Sequence, residues 1–197
     1  MGSAEWPEGL EADQVSLSDD PTDQRLDVLP EIPGSQTVAF QQGIRTSATA
    51  YGNPVTFVPS ARPGHAVDAD PHTAWSVAAF ADARGERLRL EFDEPIAVPS
   101  LDLLQAITYG QNRTITDVRI HHEGGSTAVT LGEPSLQFGQ EVPLGIVSTS
   151  FIDIEILATS DGNPSWYFGY SGVGFAEVSI PEVSAEETFV LPTDLSD

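Results

Sequence analysis

The sequence predicts an all-β fold, a sandwich or jelly roll. Apolar and polar residues alternate with a period of two in several short runs, turn residues separate those runs, and no long stretch carries a 3.6-residue apolar repeat. Residues 37–40 and 45–51 open the series as candidate strands. The clearest run follows, with Leu88, Leu90 and Phe92 alternating with Arg87, Arg89 and Glu91, the pattern of a half-buried strand. Asp93-Glu94-Pro95 ends it, and 97–104 is the next candidate. Val118 and Ile120 alternate with Arg119 and His121 ahead of a Gly124-Gly125 turn, after which 127–131 reads as a further strand. Ile152, Ile154 and Ile156 alternate with Asp153 and Glu155; Asp161-Gly162-Asn163-Pro164 is a turn, and 172–180 closes the series. No internal repeat is present.

The 197 residues suffice for one sizeable core, and composition sets its limits. Residues 1–35 hold nine acids against one arginine, and residues 181–197 hold five acids and no base. Both stretches mix Pro, Asp, Glu and Ser in proportions whose burial cannot offset ordering entropy. The expected organisation is a tag remnant (Met1-Gly2-Ser3) and acidic linker over 1–35, one β-sandwich over 36–181, and an acidic, flexible tail over 182–197. Trp6, Leu26, Val28 and Leu29 are apolar exceptions in the linker that could dock on the domain. The formal net charge of −22 opposes nucleic acid phosphates and anionic membrane surfaces. No run approaches the roughly 20 apolar residues that cross a bilayer, and the start has no signal-peptide pattern. There is no cysteine, so the redox compartment is not legible.

Ala66-Val67-Asp68-Ala69-Asp70-Pro71-His72-Thr73-Ala74-Trp75 crowds two carboxylates and a hydroxyl into a tight turn ahead of an aromatic residue. Calcium takes six to eight oxygen ligands, backbone carbonyls included, and such a turn can supply several. An EF-hand is excluded, because counting from Asp68 the glycine position is Thr73 and the final glutamate position is Ala79. The same residues also suit an Asx-turn in which Asp68 or Asp70 accepts nearby backbone N–H groups while Trp75 plugs the core.

This turn, the strand around Leu88–Phe92, and Gly174-Phe175-Ala176-Glu177-Val178 resemble the discoidin, or coagulation-factor type C, domains, a galactose-binding-like family that includes many bacterial carbohydrate-binding modules. The family signature is an Ala-x-Asp-Gly-Asp-x-x-Thr-x-Trp turn and an Ala-Glu pair in the last strand. The resemblance covers about residues 36–181 and implies a discoidin-like jelly roll. In calcium-binding members the ion lies between turn and last strand, which implies side-chain oxygens from Asp68, Thr73 and Glu177 and carbonyls from His65, Asp70, Thr73 and Ala176, with Ca2+ in a structural role. Ala69 departs from the glycine of the signature, so a positive φ there would be strained. Tyr51-Gly52-Asn53-Pro54, the stretch 79–88 and Val173-Gly174-Phe175-Ala176-Glu177 are in addition similar to the non-catalytic discoidin-like region of the actinobacterial membrane α-(1→3)-arabinofuranosyltransferases. That likeness implies a parent that adds arabinose to cell-wall arabinan, with this part on the extracytoplasmic side of a membrane-anchored protein and not itself inserted in the membrane.

Two loops mix aromatic faces with planar polar groups, as carbohydrate sites require. One offers Tyr109, Asn112 and a bidentate-capable Arg113; the other offers Trp166 and Tyr167 as platforms, unless Trp166 and Phe168 simply cover the sandwich end. Arg84, between Asp82 and Glu86, suits a surface ion pair. His121 and His122 point to opposite faces of a strand and so do not readily share one metal ion. No nucleophile elbow, phosphate loop or zinc motif occurs, and no local context supports a glycosidase carboxylate pair. Together with these loops, the resemblance implies non-catalytic recognition of cell-envelope glycan, of arabinan type, within a larger membrane glycosyltransferase. The alternative is a scaffold domain that packs against other domains of its parent.

Overall fold

The computed structural model describes residues 38–56, 58–107, 110–160, 162 and 169–191. Among the described residues nine strands carry the fold: β1 (Val38–Gln42), β2 (Ile44–Ala48), β3 (Trp75–Val77), β4 (Arg87–Gln105), β5 (Ile115–His122), β6 (Gly125–Thr130), β7 (Gln140–Thr159), β8 (Val173–Ser179) and β9 (Glu186–Val190). Two short 3-10 turns, Pro59–Ala61 and Pro63–Ala66, and one helical turn, Pro134–Gln137, complete the described elements.

β2 to β8 form one antiparallel sheet in the order β3-β8-β4-β7-β5-β6, with β2 joined to β4. The first half of β4 pairs with β2 and with the second half of β7, Leu88 opposite Ile154 and Leu90 opposite Ile152. Its second half pairs with the first half of β7 and with β8. Register shifts between Glu91 and Ser100 separate the two halves. Bulges bend a strand, so the long strands β4 and β7 serve both walls of one jelly-roll sandwich. The candidate strands 88–92 and 97–104 are thus two halves of one bent strand, because Asp93-Glu94-Pro95 turns the chain without ending the pairing.

The alternating residues meet in a single core. Leu88, Leu90, Ile120, Ile152, Ile154 and Ile156 are fully buried, each contributing about 1.5–3 kcal/mol relative to exposure. Trp75 is also fully buried, stacked on Phe175 with ring centroids 6.2 Å apart, and its indole N–H donates to the Ala50 carbonyl at 3.0 Å. Gly174, opposite Ser76, has no room for a side chain, since a Cβ would lie 1.9 Å from the Trp75 carbonyl oxygen. β3 and β8 are held in register by this contact, Trp75 opposite Phe175 and Val77 opposite Val173.

The expectation of an acidic tail from residue 182 is corrected at Glu186–Val190. These residues form β9 and pair antiparallel with β1 in a separate two-stranded ribbon. Thr188, Phe189 and Val190 have strand-favouring side chains, and Arg62 anchors the ribbon by an ion pair with Glu187 and by placing its guanidinium 5.4 Å from the Phe189 ring centre. Acidic composition did not prevent pairing because Glu187 finds this partner. The linker over 1–35 lies outside the described residues.

Candidate functional site

The turn before β3 is built by its own side chains. The Asp68 carboxylate accepts the Asp70 N–H at 3.1 Å and the Thr73 hydroxyl at 2.7 Å, and the Asp70 carbonyl accepts the Thr73 N–H at 3.1 Å. The Asp70 carboxylate instead faces His72, accepting its N–H at 3.0 Å and lying 2.9 Å from its Nδ1; these contacts hold the Asp70 pKa below the usual carboxylate range. Ala69 stands at φ +59°, the left-handed conformation that glycine adopts freely. Ala69→Gly is expected to stabilise the domain by about 0.5–1 kcal/mol, the relief of left-handed strain less the added chain entropy. Chemical denaturation measures it, and a loss of stability would show that this backbone is not strained.

β8 brings Glu177 to this turn. The register of β8 on β4 slips between Leu104, opposite Glu177, and Gln105, opposite Phe175, so Ala176 is a bulge residue without a partner on β4. The slip re-aims the following residue. Glu177 is half-buried, its Oε2 is fully enclosed without a hydrogen-bond partner, and its pKa is pushed up to about 7. Desolvation is the main cause, the neighbouring Asp68 charge adds to it, the Ala69 N–H opposes it, and Asp70 raises it a little. An orphaned carboxylate oxygen on a group that also feels a second carboxylate's charge is a place where a hard cation would relieve both burial and repulsion.

Among the described residues no three His, Asp or Glu side chains gather closely enough to hold an ion by themselves. A cation here would therefore need hydroxyl and carbonyl oxygens as well, the donor set expected of Asp68, Thr73, Glu177, His65, Asp70 and Ala176. His65 lies in the turn Pro63–Ala66 with its imidazole Nδ1 2.9 Å from the Ser60 carbonyl, so any contribution would come from its backbone. The Asp70 carbonyl already accepts the Thr73 N–H and, at 3.0 Å, its hydroxyl. The Asx-turn is thus present in full, and the unpartnered Glu177 oxygen is what goes beyond it.

The described parts of the loops expected to meet sugar lie at the other end of β3 and β8. Tyr109, Trp166 and Tyr167 fall outside the described residues. Asn112 and Arg113 are placed, and both are committed to backbone. Asn112 donates from Nδ2 to the Gly169 carbonyl at 2.7 Å and accepts the Ser171 N–H at 3.0 Å. Arg113, expected as an open fork, is only 4 % exposed; Nε donates to the Ser171 carbonyl at 2.9 Å and Nη2 to the Ala78 carbonyl at 2.7 Å. Its guanidinium carbon is 4.9 Å from the Tyr170 ring centre. Burial pushes the Arg113 pKa below the usual guanidinium value, opposed by Asp82. This corrects the expected open fork: the buried guanidinium ties its own loop to the Ala78 and Ser171 segments by donating to their carbonyls.

That fastening presents two aromatic residues the sequence reading did not select. Phe80 is 56 % exposed at φ +70°, and its N–H donates to the Tyr170 carbonyl at 2.8 Å. Tyr170 is itself 37 % exposed. Gly169 lies against the Phe80 ring, where a Cβ would come within 3.0 Å of Cδ1. A bulky residue held left-handed and exposed is uncommon, and such strain gathers at ligand-contacting loops. Nothing in the local sequence marks Phe80, since its exposure depends on backbone contacts from distant loops. Nearby, Arg84 pairs with Asp82 at 2.6 Å, the expected surface ion pair. His121 and His122 diverge as expected, His121 lying 2.6 Å from Glu155 and His122 accepting the Gly124 N–H at 3.1 Å.

No protein-family model matches the chain. A curated relative, the α-(1→3)-arabinofuranosyltransferase of Mycolicibacterium smegmatis, is 26% identical over 136 residues, covering 67% of this chain and 9% of the relative. A cryo-EM structure of the mycobacterial arabinofuranosyltransferase AftD superposes over 88% of this chain and 14% of that one, with a TM-score of 0.66 and 21% identity. The family 32 carbohydrate-binding module of Clostridium perfringens NanJ, solved with galactose, covers 75% of this chain and all of that one, with a TM-score of 0.52 and 19% identity. The chain is homologous to a segment of the arabinofuranosyltransferase, and its fold is the discoidin-like jelly roll of the binding module. It spans about a tenth of the length of the curated relative it matches.

Proposed function

We propose that this chain, homologous to one segment of an arabinofuranosyltransferase and folded like a carbohydrate-binding module, is a non-catalytic module that holds arabinan-type envelope glycan for a larger membrane glycosyltransferase. It acts on the extracytoplasmic side and takes Ca2+ as a structural ion between Asp68, Thr73 and Glu177. The observation that carries the reading is the exposed pair Phe80 and Tyr170, preorganised by Arg113, Asn112 and Gly169. Aromatic faces take up the C–H surface of a sugar ring, and a rigid loop lowers the ordering cost of binding. The non-catalytic part of the reading is supported by the resemblance to non-catalytic modules.

Titration with arabinofuranosyl oligosaccharides and with galactose tests the proposal. Saturable binding is expected at millimolar or lower concentration, weakened at least about tenfold by Phe80→Ala with little change in melting temperature, because the ring is exposed. Absence of binding to any envelope sugar, or binding indifferent to both Phe80→Ala and Tyr170→Ala, would defeat the reading. A second reading, a scaffold domain packed against other parts of its parent, is favoured by the commitment of Asn112 and Arg113 to backbone carbonyls. Burial of Phe80 at an interdomain contact in the longer protein is its signature.

A further inference from the structure

Among the described residues the two walls have four strand edges, β2 and β6 on one and β3 and the first half of β7 on the other; they are treated differently, and the first half of β7 carries Pro143. On β2 the Thr46 N–H is taken by the Gln41 side chain at 2.8 Å. On β3 the Ser76 carbonyl accepts the Gly52 N–H at 2.6 Å. β6 has no comparable cover along most of its length. It pairs with β5 through six consecutive residues without a register shift, from His122 opposite Gly125 to Asp117 opposite Thr130. In a hairpin closed by the two residues Glu123 and Gly124, the His122 and Gly125 pair exchanges hydrogen bonds, and alternate pairs follow. The N–H and C=O groups of Ser126, Ala128 and Thr130 therefore point away from β5. The Thr130 carbonyl agrees, accepting from Gln140 Nε2 at 3.0 Å. Among the described residues nothing meets the outward groups of Ser126 and Ala128.

Natural proteins blunt open edges with lysine, proline or a bulge. β6, Gly-Ser-Thr-Ala-Val-Thr, has none of these, and all but Val129 are exposed. Acids stand at its two ends: Glu123 in the hairpin turn, and Asp117 and Glu133 beside the far end. The formal net charge of −22 opposes a second copy of the same chain at this edge.

We propose that the free edge of β6 is a strand-addition site for an extended segment of another polypeptide, one rich in β-branched residues with a basic side chain at each end. Backbone groups of Ser126 and Ala128 supply the ladder, and Glu123, Asp117 and Glu133 select the charge of the incoming strand. The proposal does not rest on carbohydrate binding, which involves loops around Phe80.

The test uses the 197-residue chain and an acetylated, amidated peptide Lys-Thr-Val-Thr-Val-Thr-Val-Lys, with a control ending in glutamate. The lysine-ended peptide is expected to shift the Ser126 and Ala128 amide resonances saturably and slow their hydrogen exchange at least about tenfold. The glutamate-ended peptide is expected to bind about tenfold more weakly at low salt, the difference shrinking as salt rises. Ala128→Pro removes an outward N–H, so it should abolish binding while β5–β6 amides stay protected. Should that variant not fold, Ala128→Lys serves in its place by weakening the lysine-ended peptide through charge. Unperturbed Ser126 and Ala128 amides, or equal binding of the two peptides at low salt, would overturn the proposal. So would concentration-dependent dimerisation without peptide that Ala128→Pro removes, which would assign the edge to a second copy.

Discussion

Arg113→Ala is expected to destabilise the domain by about 2–4 kcal/mol, close to the cost of breaking a buried charged hydrogen-bond network. The side chain is 4 % exposed, and its removal strands the Ser171 carbonyl, leaves the Ala78 carbonyl with the Ala81 N–H alone, and takes away the stack on Tyr170. Arg113→Lys should recover little, because an ammonium cannot reach both carbonyls with the fixed geometry of the guanidinium fork. Urea unfolding measures the loss. Had Arg113 been an open sugar ligand, alanine would change binding and leave stability within about 0.5 kcal/mol, as exposed substitutions do. An outcome of that kind would return the residue to the binding site. Loss of Arg113 should also free Phe80 from its left-handed position, so any sugar affinity should fall with it.

Glu177→Gln is expected to act in opposite directions with and without calcium. The folded-state pKa of Glu177 is raised to about 7 from 4.5. In that range the native state keeps a proton that the unfolded chain has lost, so without a cation stability falls as pH rises from about 4.5 to 7 and stays low above it. Discounted for solvent screening of a half-buried group, the fall is of order 1–2 kcal/mol. Calcium should remove that decline by compensating the charges of Glu177 and Asp68, and its stabilisation should therefore grow with pH. Chelator should lower the melting temperature of the wild-type chain at pH 7.5. Glu177→Gln should raise the chelated melting temperature at that pH and erase the response to calcium. Asp68→Ala should also erase the response, but with a lower baseline, since Asp68 additionally caps Asp70 and Thr73. A wild-type melting temperature indifferent to calcium and chelator across pH 5–8 would remove the ion from this domain.

The fold was legible because burial in a sandwich imposes a period of two on the sequence. Leu88, Leu90, Ile152, Ile154 and Ile156 announced their strands and lie in the core. β9 was not legible: Glu186 and Glu187 read as tail, and the ion pair of Glu187 with Arg62 crosses most of the chain. β3 was hidden because three residues are too few to show alternation. Of the site, the Asp68 turn was legible, since an Asx-turn is made by residues within a few positions of one another. The slip at Ala176 and the orphaned Glu177 oxygen were not, because they exist only once β8 lies between β3 and β4.

The chain by itself therefore determined the β class, the core residues and the acidic turn, all set by local pattern or local hydrogen bonding. Tertiary structure decided what the loops do. In sequence Arg113 read as an open sugar ligand and Phe80 drew no reading as a site residue. The Ala78 and Ser171 carbonyls hold the arginine, which composition would have left in water, and the Tyr170 carbonyl holds the backbone of Phe80 with its ring exposed, which composition would have buried. Backbone groups brought together from distant loops take their hydrogen bonds from Arg113 and from the Phe80 N–H, and no local stretch of sequence records that convergence.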